Sequence, residues 1–141
     1  MRIITLLLVG TVFCVGILVA GADDGAEKFW SEFRGAVINY KFDKVVSLTH
    51  FPFEIKGLDE YQPPEYHGRK GFRRNYERIL VTPFVVEPGD KLLLGNMLKL
   101  VQKKTKLTRK DYLTADIIRI EQFEFERIKG RWFFTRAYVE E

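Results

Sequence analysis

The strongest alternation of apolar and polar positions runs from Ala115 to Val139, ADIIRIEQFEFER-IKG-RWFFTRAYV. Aromatic and β-branched residues at these spacings suit a pleated, half-buried surface, so the stretch predicts a long β-hairpin. Lys129-Gly130 breaks it, and Gly supplies the positive φ that a two-residue hairpin turn requires. In the first arm Ile118 and Ile120 occupy even positions, whereas Phe123 and Phe125 occupy odd ones. A period of two cannot bury both pairs on one face, which predicts a bulge near Glu121-Gln122 or a sheet covered on both sides there. Glu124, Glu126, Arg127 and Arg131 are then expected along a wet face or rim, paired with opposite charges across the strands.

Upstream the period changes to three and four. Phe29, Trp30, Phe33, Val37 and Tyr40 predict an amphipathic helix over Ala26–Tyr40. Phe42-Asp43 opens a second, short helix with Val45, Val46 and Leu48 on its apolar side, and Asp43 near its start suits the helix dipole. Phe51-Pro52-Phe53-Glu54-Ile55 reads as a short strand that Pro52 confines to an edge or a strand start. Gly57–Gly68, with Pro63-Pro64, reads as a surface loop in which His67 is solvated. Arg69–Val81 predicts a third helix, burying Phe72, Tyr76, Ile79 and Leu80 and leaving Arg69, Lys70, Arg73, Arg74 and Arg78 outside. Val85-Val86 suits a short strand before a turn over 87–90. Lys91–Lys104 fits helix or strand, with Gly95-Asn96 as a candidate turn inside it.

Composition adds a core and an address. The 141 residues are 46% hydrophobic and 14% aromatic, ample for one folded domain. Arg2, the uncharged apolar run Ile3–Val19 and the small residues Ala20-Gly21-Ala22 match a secretory signal. The expected organisation is a signal over 1–22 and a single domain over 23–141, periplasmic or secreted. The alternative is an uncleaved N-terminal membrane anchor, since Ile3–Ala22 has about the 20 residues a bilayer requires. Cys14, the only cysteine, lies inside that segment, so the domain has no disulfide, thiol nucleophile or thiolate metal site. Charge is unevenly placed: 23–68 carries net −4, 69–110 net +9 and 111–141 net −2.

The order of elements, carried by FWSEFRGAVINYKFDKVVSL over Phe29–Leu48 and FEFERIKGRWFFTRAYV over Phe123–Val139, resembles the nuclear-transport-factor-2-like superfamily. The resemblance covers most of the domain through soft motifs: an aromatic helix, an Asp-containing second helix and a Gly-x-Trp hairpin. It implies a cystatin-like α+β roll, three helices of the N-terminal half packed on a curved antiparallel sheet that ends in a long C-terminal hairpin. It also implies a cone-shaped pocket that holds catalytic groups, a small ligand or nothing, and a homodimer through the sheet's outer face. The fold does not decide among these.

Candidate chemistry is sparse. An isomerase-like site would draw its acid, base and phenol from Tyr40, Asp43, Tyr76 and Asp116, which form no motif. A dehydratase-like site would need paired His and Asp, and His50, beside aromatic residues, is the better placed of two histidines. Tyr40, His50, Tyr76 and Trp132 are the candidate ligand-binding residues. No metal spacing, phosphate loop, nucleophile elbow or cofactor motif is present in the sequence. The basic block, with Phe72 and Tyr76 interleaved, would suggest nucleic acid in a cytosolic chain. Behind a signal it points to an anionic envelope surface, namely lipid headgroups, polymers or an acidic protein. The expectation is therefore a non-enzymatic extracytoplasmic domain that binds a small ligand or a protein partner. The alternatives are a pocket-based lyase or isomerase, or an inhibitor that neutralises a partner.

Overall fold

The computed structural model describes residues 25–86 and 93–139, and the candidate signal or anchor and the turn over 87–90 lie outside them. The fold is mixed α+β. Helices α1 (Ala26–Ile38) and α2 (Phe42–Ser47) lead into strands β1 (Thr49–Lys56) and β2 (Glu65–His67). Helix α3 (Arg69–Val81), strands β3 (Phe84–Val86) and β4 (Leu93–Gly95) and helix α4 (Met97–Lys103) follow. Strands β5 (Tyr112–Thr114), β6 (Ile117–Ile120), β7 (Phe123–Ile128) and β8 (Arg131–Tyr138) close the chain. The main sheet has the order β2-β1-β8-β7-β6-β5, antiparallel except for the parallel pair β1–β8, and β3–β4 form a separate ribbon. Among the described residues no helix is long and apolar enough to cross a membrane.

The C-terminal stretch is a three-stranded meander rather than one long hairpin. Ile120 pairs with Phe123 across a two-residue turn, Glu121-Gln122, with Glu121 at φ 48°. That turn, not a bulge, moves the apolar set from even to odd positions. Lys129-Gly130 forms the second turn with both φ positive, 49° and 79°, as a type I′ hairpin demands. A bulge does occur, one strand later. Glu124 faces Arg136 and Phe125 faces Phe134, so Thr135 is the extra residue. Phe134 thereby turns to the helices and Arg136 to the opposite face.

The core is a continuous packing of rings between the sheet and the helices. Phe33 of α1 meets Phe125 and Phe134 at 5.0 Å each, and Phe53 joins Phe134 at 4.7 Å and Phe72 of α3 at 4.8 Å. Such edge-on and tilted pairs each add about 0.5–1.5 kcal/mol beyond area burial. Trp132 is buried, sharing a hollow with Phe29 of α1 and Leu48.

Three local expectations change. Helix α1 stops at Ile38, because Tyr40 at φ 55° closes its end as the left-handed residue of a Schellman motif. Lys41 N donates to Ala36 O (2.9 Å) and Tyr40 N to Val37 O (3.3 Å), so Tyr40 leaves the apolar stripe and is 83% exposed. Strand β1 is interior, not an edge. Pro52, which cannot donate, sits where pairing with β8 lapses between Thr49 and Glu54. In the ambiguous stretch Asn96 is no turn residue: its side chain accepts from Lys99 N at 2.9 Å and caps α4. Arg34 then anchors the other end of α4 by donating to Val101 O and Gln102 O (2.9 and 2.7 Å).

Candidate functional site

Helix α3 positions most of the charged candidates. Its apolar stripe puts Phe72, Ile79 and Leu80 in the core, and Tyr76 is half-buried beside them. The opposite side leaves Arg69, Lys70, Arg73 and Arg74 exposed, since an unpaired buried Arg would cost several kcal/mol. Two of these cations lie over rings: Arg73 Cζ is 4.2 Å from the centroid of Phe42, and Arg69 Cζ is 5.1 Å from that of Phe51. Arg73 also meets Asp43 at 3.6 Å, an open pair of little energetic weight. The four cations, Phe42, Asp43 and Val46 enclose an open hollow of about 480 Å³.

Arg78 does not join this face. Its Nη2 donates to Asn75 Oδ1 at 3.0 Å, its Nε is buried without a partner, and it points to a hollow formed by Ile55, Gln62, Pro63, Glu65 and Val139. His67 is not solvated as expected. It packs on Gly71, where a Cβ would come within 2.7 Å of the ring, and its Nε2 lies 3.1 Å from Glu65 Oε2.

A second depression adjoins the first. Val37, Phe42, Tyr76, Leu80, Val81 and Leu98 wall a groove of about 330 Å³, with Tyr40 and Glu77 also along it. The Tyr76 phenol stands 5.1 Å from Phe42, and burial pushes its pKa up to about 12. Of the four candidate ligand-binding residues, Tyr40 and Tyr76 thus share a groove. His50 lies elsewhere on β1, its ring 5.9 Å from Phe133, and Trp132 is at the other end of α1. Asp43 borders the cationic hollow, and Asp116 accepts from Arg127 Nε at 2.7 Å in the β5–β6 turn. Tyr40, Asp43, Tyr76 and Asp116 therefore do not converge.

The sheet face away from the helices carries a charge network that strand alternation only hinted at. Neighbouring strands bring Tyr66, Glu54, Arg136, Glu124 and Arg119 into one row. Arg136 donates to Glu54 (2.8 Å) and Glu124 (2.7 Å), and the Tyr138 hydroxyl donates to the other oxygen of Glu124 (3.1 Å). Arg119 covers the Tyr138 ring at 4.0 Å, leaving Glu124 only 4% exposed rather than on a wet rim. Burial opposes the Arg136 charge, but its bonds to Glu54 and Tyr138 and the field of Glu124 outweigh that and hold its pKa above the ordinary range. Both Glu124 oxygens are engaged, so the network is built to hold strands together. Among the described residues no three His, Cys, Asp or Glu side chains gather as a metal site.

No protein family, curated protein or solved structure matches this chain.

Proposed function

We propose that this chain is an extracytoplasmic, non-enzymatic binding domain on a cystatin-like roll, and that it binds an anionic ligand or partner through α3. The observation that carries the reading is the cationic face itself: Arg69, Lys70, Arg73 and Arg74 exposed together, two of them held over aromatic rings. Guanidinium groups stacked this way are pre-organised to donate to an anion. The ring-filled interior supports a non-enzymatic role, because the lyase or isomerase alternative needs a pocket carboxylate or His hydrogen-bonded to a Tyr, and Glu77, which borders the groove with Tyr40 and Tyr76, bonds to neither. Among the described residues the carboxylate that accepts from a tyrosine, Glu124 from Tyr138, lies on the far sheet face and is neutralised by Arg136. The roll is supported by the helices packed on one face of a sheet whose interior strands β1 and β8 are parallel. The address rests on Arg2, the apolar run Ile3–Val19 and Ala20-Gly21-Ala22.

The test is retention on phosphatidylglycerol vesicles against phosphatidylcholine vesicles, at low and high salt. The wild-type protein is retained by the anionic vesicles at low salt and released at high salt, where exposed charges are screened well inside the roughly 8 Å of physiological ionic strength. Changing Arg69, Arg73 and Arg74 together to Gln removes about 1 kcal/mol per cation, a loss of roughly 100-fold in partitioning. Equal retention of the two proteins refutes the reading.

A further inference from the structure

The cationic hollow and the apolar groove are parts of one surface. Phe42 lines both. Helix α3 runs beside both, with Arg69, Arg73 and Arg74 in its first half and Leu80 and Val81 at its end. From Arg73 to Leu80 the helix axis advances about 10 Å, at 1.5 Å per residue. The Phe42 ring marks the junction, with the Arg73 guanidinium 4.2 Å from it and the Tyr76 ring at 5.1 Å. We infer that the ligand is a single-chain anionic amphiphile, its headgroup on Arg69, Arg73 and Arg74 and its alkyl chain in the groove of Phe42, Leu80, Val81 and Leu98; this rests on the reading of α3 as the binding surface and names its ligand.

The two halves need each other. A purely ionic partner leaves the groove bare, with Val81 43% and Tyr40 83% exposed. A purely apolar ligand leaves the cations unmatched. The groove of about 330 Å³ and the hollow of about 480 Å³ are each within the range of small-molecule sites. Glu77 sets the direction. It borders the groove, where no cation stands beside it among the described lining residues, whereas the hollow at the Arg73 end sets four cations against one carboxylate, Asp43. Apart from Glu77, the walls are apolar side chains and the phenols of Tyr40 and Tyr76, which offer a chain dispersion contacts without demanding a fixed hydrogen-bond pattern. Recognition is therefore by charge and chain length.

Calorimetric titration of the detergent-free protein with alkyl sulfates, each kept below its micelle concentration, tests this. Decyl sulfate binds saturably. Octyl sulfate, shorter by two methylenes, binds about 5–15-fold more weakly, since a fully buried methylene is worth up to about fourfold. Decyltrimethylammonium binds at least about tenfold more weakly than decyl sulfate, because like charges meet at the hollow. Tyr40→Asn with Val81→Asn changes two exposed side chains, and Asn tolerates the left-handed backbone at position 40. This variant keeps its thermal midpoint and its retention on anionic vesicles but loses several-fold affinity for decyl sulfate. Equal affinity for octyl and decyl sulfate, with the Tyr40/Val81 variant unchanged, overturns the amphiphile and leaves α3 as an anion-binding surface. Wild-type binding of decyl sulfate by the Arg69/Arg73/Arg74→Gln protein overturns the placement of the headgroup.

Discussion

Arg136→Met removes the cation shared by Glu54 and Glu124 while keeping a long apolar stem. Two charge-assisted bonds, of 2.8 and 2.7 Å, disappear, and Glu124 keeps only Tyr138 on its second oxygen. Breaking a buried pair from one side costs about 3–5 kcal/mol. Here the Arg136 side chain is 28% exposed and that of Glu54 14%, so water screens part of the loss and about 3 kcal/mol is expected. For a domain of this size that lowers the melting temperature by on the order of 10 °C. Urea denaturation followed by Trp fluorescence measures it, and an unchanged slope keeps the comparison two-state. The decisive arm is a cycle with Glu124→Gln. With Glu124 already neutral, Arg136→Met leaves one carboxylate instead of two without its cation, so the two changes fall short of additive by about 1–2 kcal/mol. A loss under about 1 kcal/mol for Arg136→Met, or strict additivity, refutes the claim that this row clamps the strands.

Two further predictions concern the core and the groove. Trp132→Ala empties a buried site facing Phe29 and costs about 3–5 kcal/mol, and an unchanged urea midpoint would contradict its burial. Tyr76 holds its proton up to about pH 12, against about 10 when unfolded. Between those pH values the unfolded chain has lost that proton and the folded chain keeps it, so stability falls as pH rises through the window, by at most about 2–3 kcal/mol. Tyr76→Phe shows a shallower fall over the same range, and identical pH curves for the two proteins would refute the burial of the phenol.

Legibility in the sequence followed the range of the interaction. Spacings of three and four residues sufficed to place Phe29, Trp30 and Phe33 on one side of α1 and to separate Phe72 and Ile79 from the cations of α3, because helix periodicity is local. The Lys129-Gly130 turn was legible because Gly states its own φ. The turn at Glu121-Gln122 was not, since Glu at positive φ is imposed by its flanking strands and advertised by nothing nearby. Asn96 misled because Asn suits turns and helix caps alike. Tyr40 misled because spacing alone does not say where a helix ends. Glu54 and Arg136 lie 82 residues apart, and alternation along each strand indicates a face without naming the partner across it. The groove escaped for the same reason: Phe42, Tyr76 and Leu98 reach it from three helices.

The place of β8 in the sheet also governs how the chain can be assembled. It lies between β1 and β7, and its backbone receives the parallel pairing of a strand made some eighty residues earlier. Until residues 131–138 exist, β1 has no neighbour on that side and the rings of Phe33, Phe53 and Phe72 lack Phe134, the ring that all three meet. Closure over so long a separation is slow, and its entropic cost falls at the last step. A nascent chain of this topology cannot lock its interior early. Its interior is complete only when the last strand is in place between the first and the seventh.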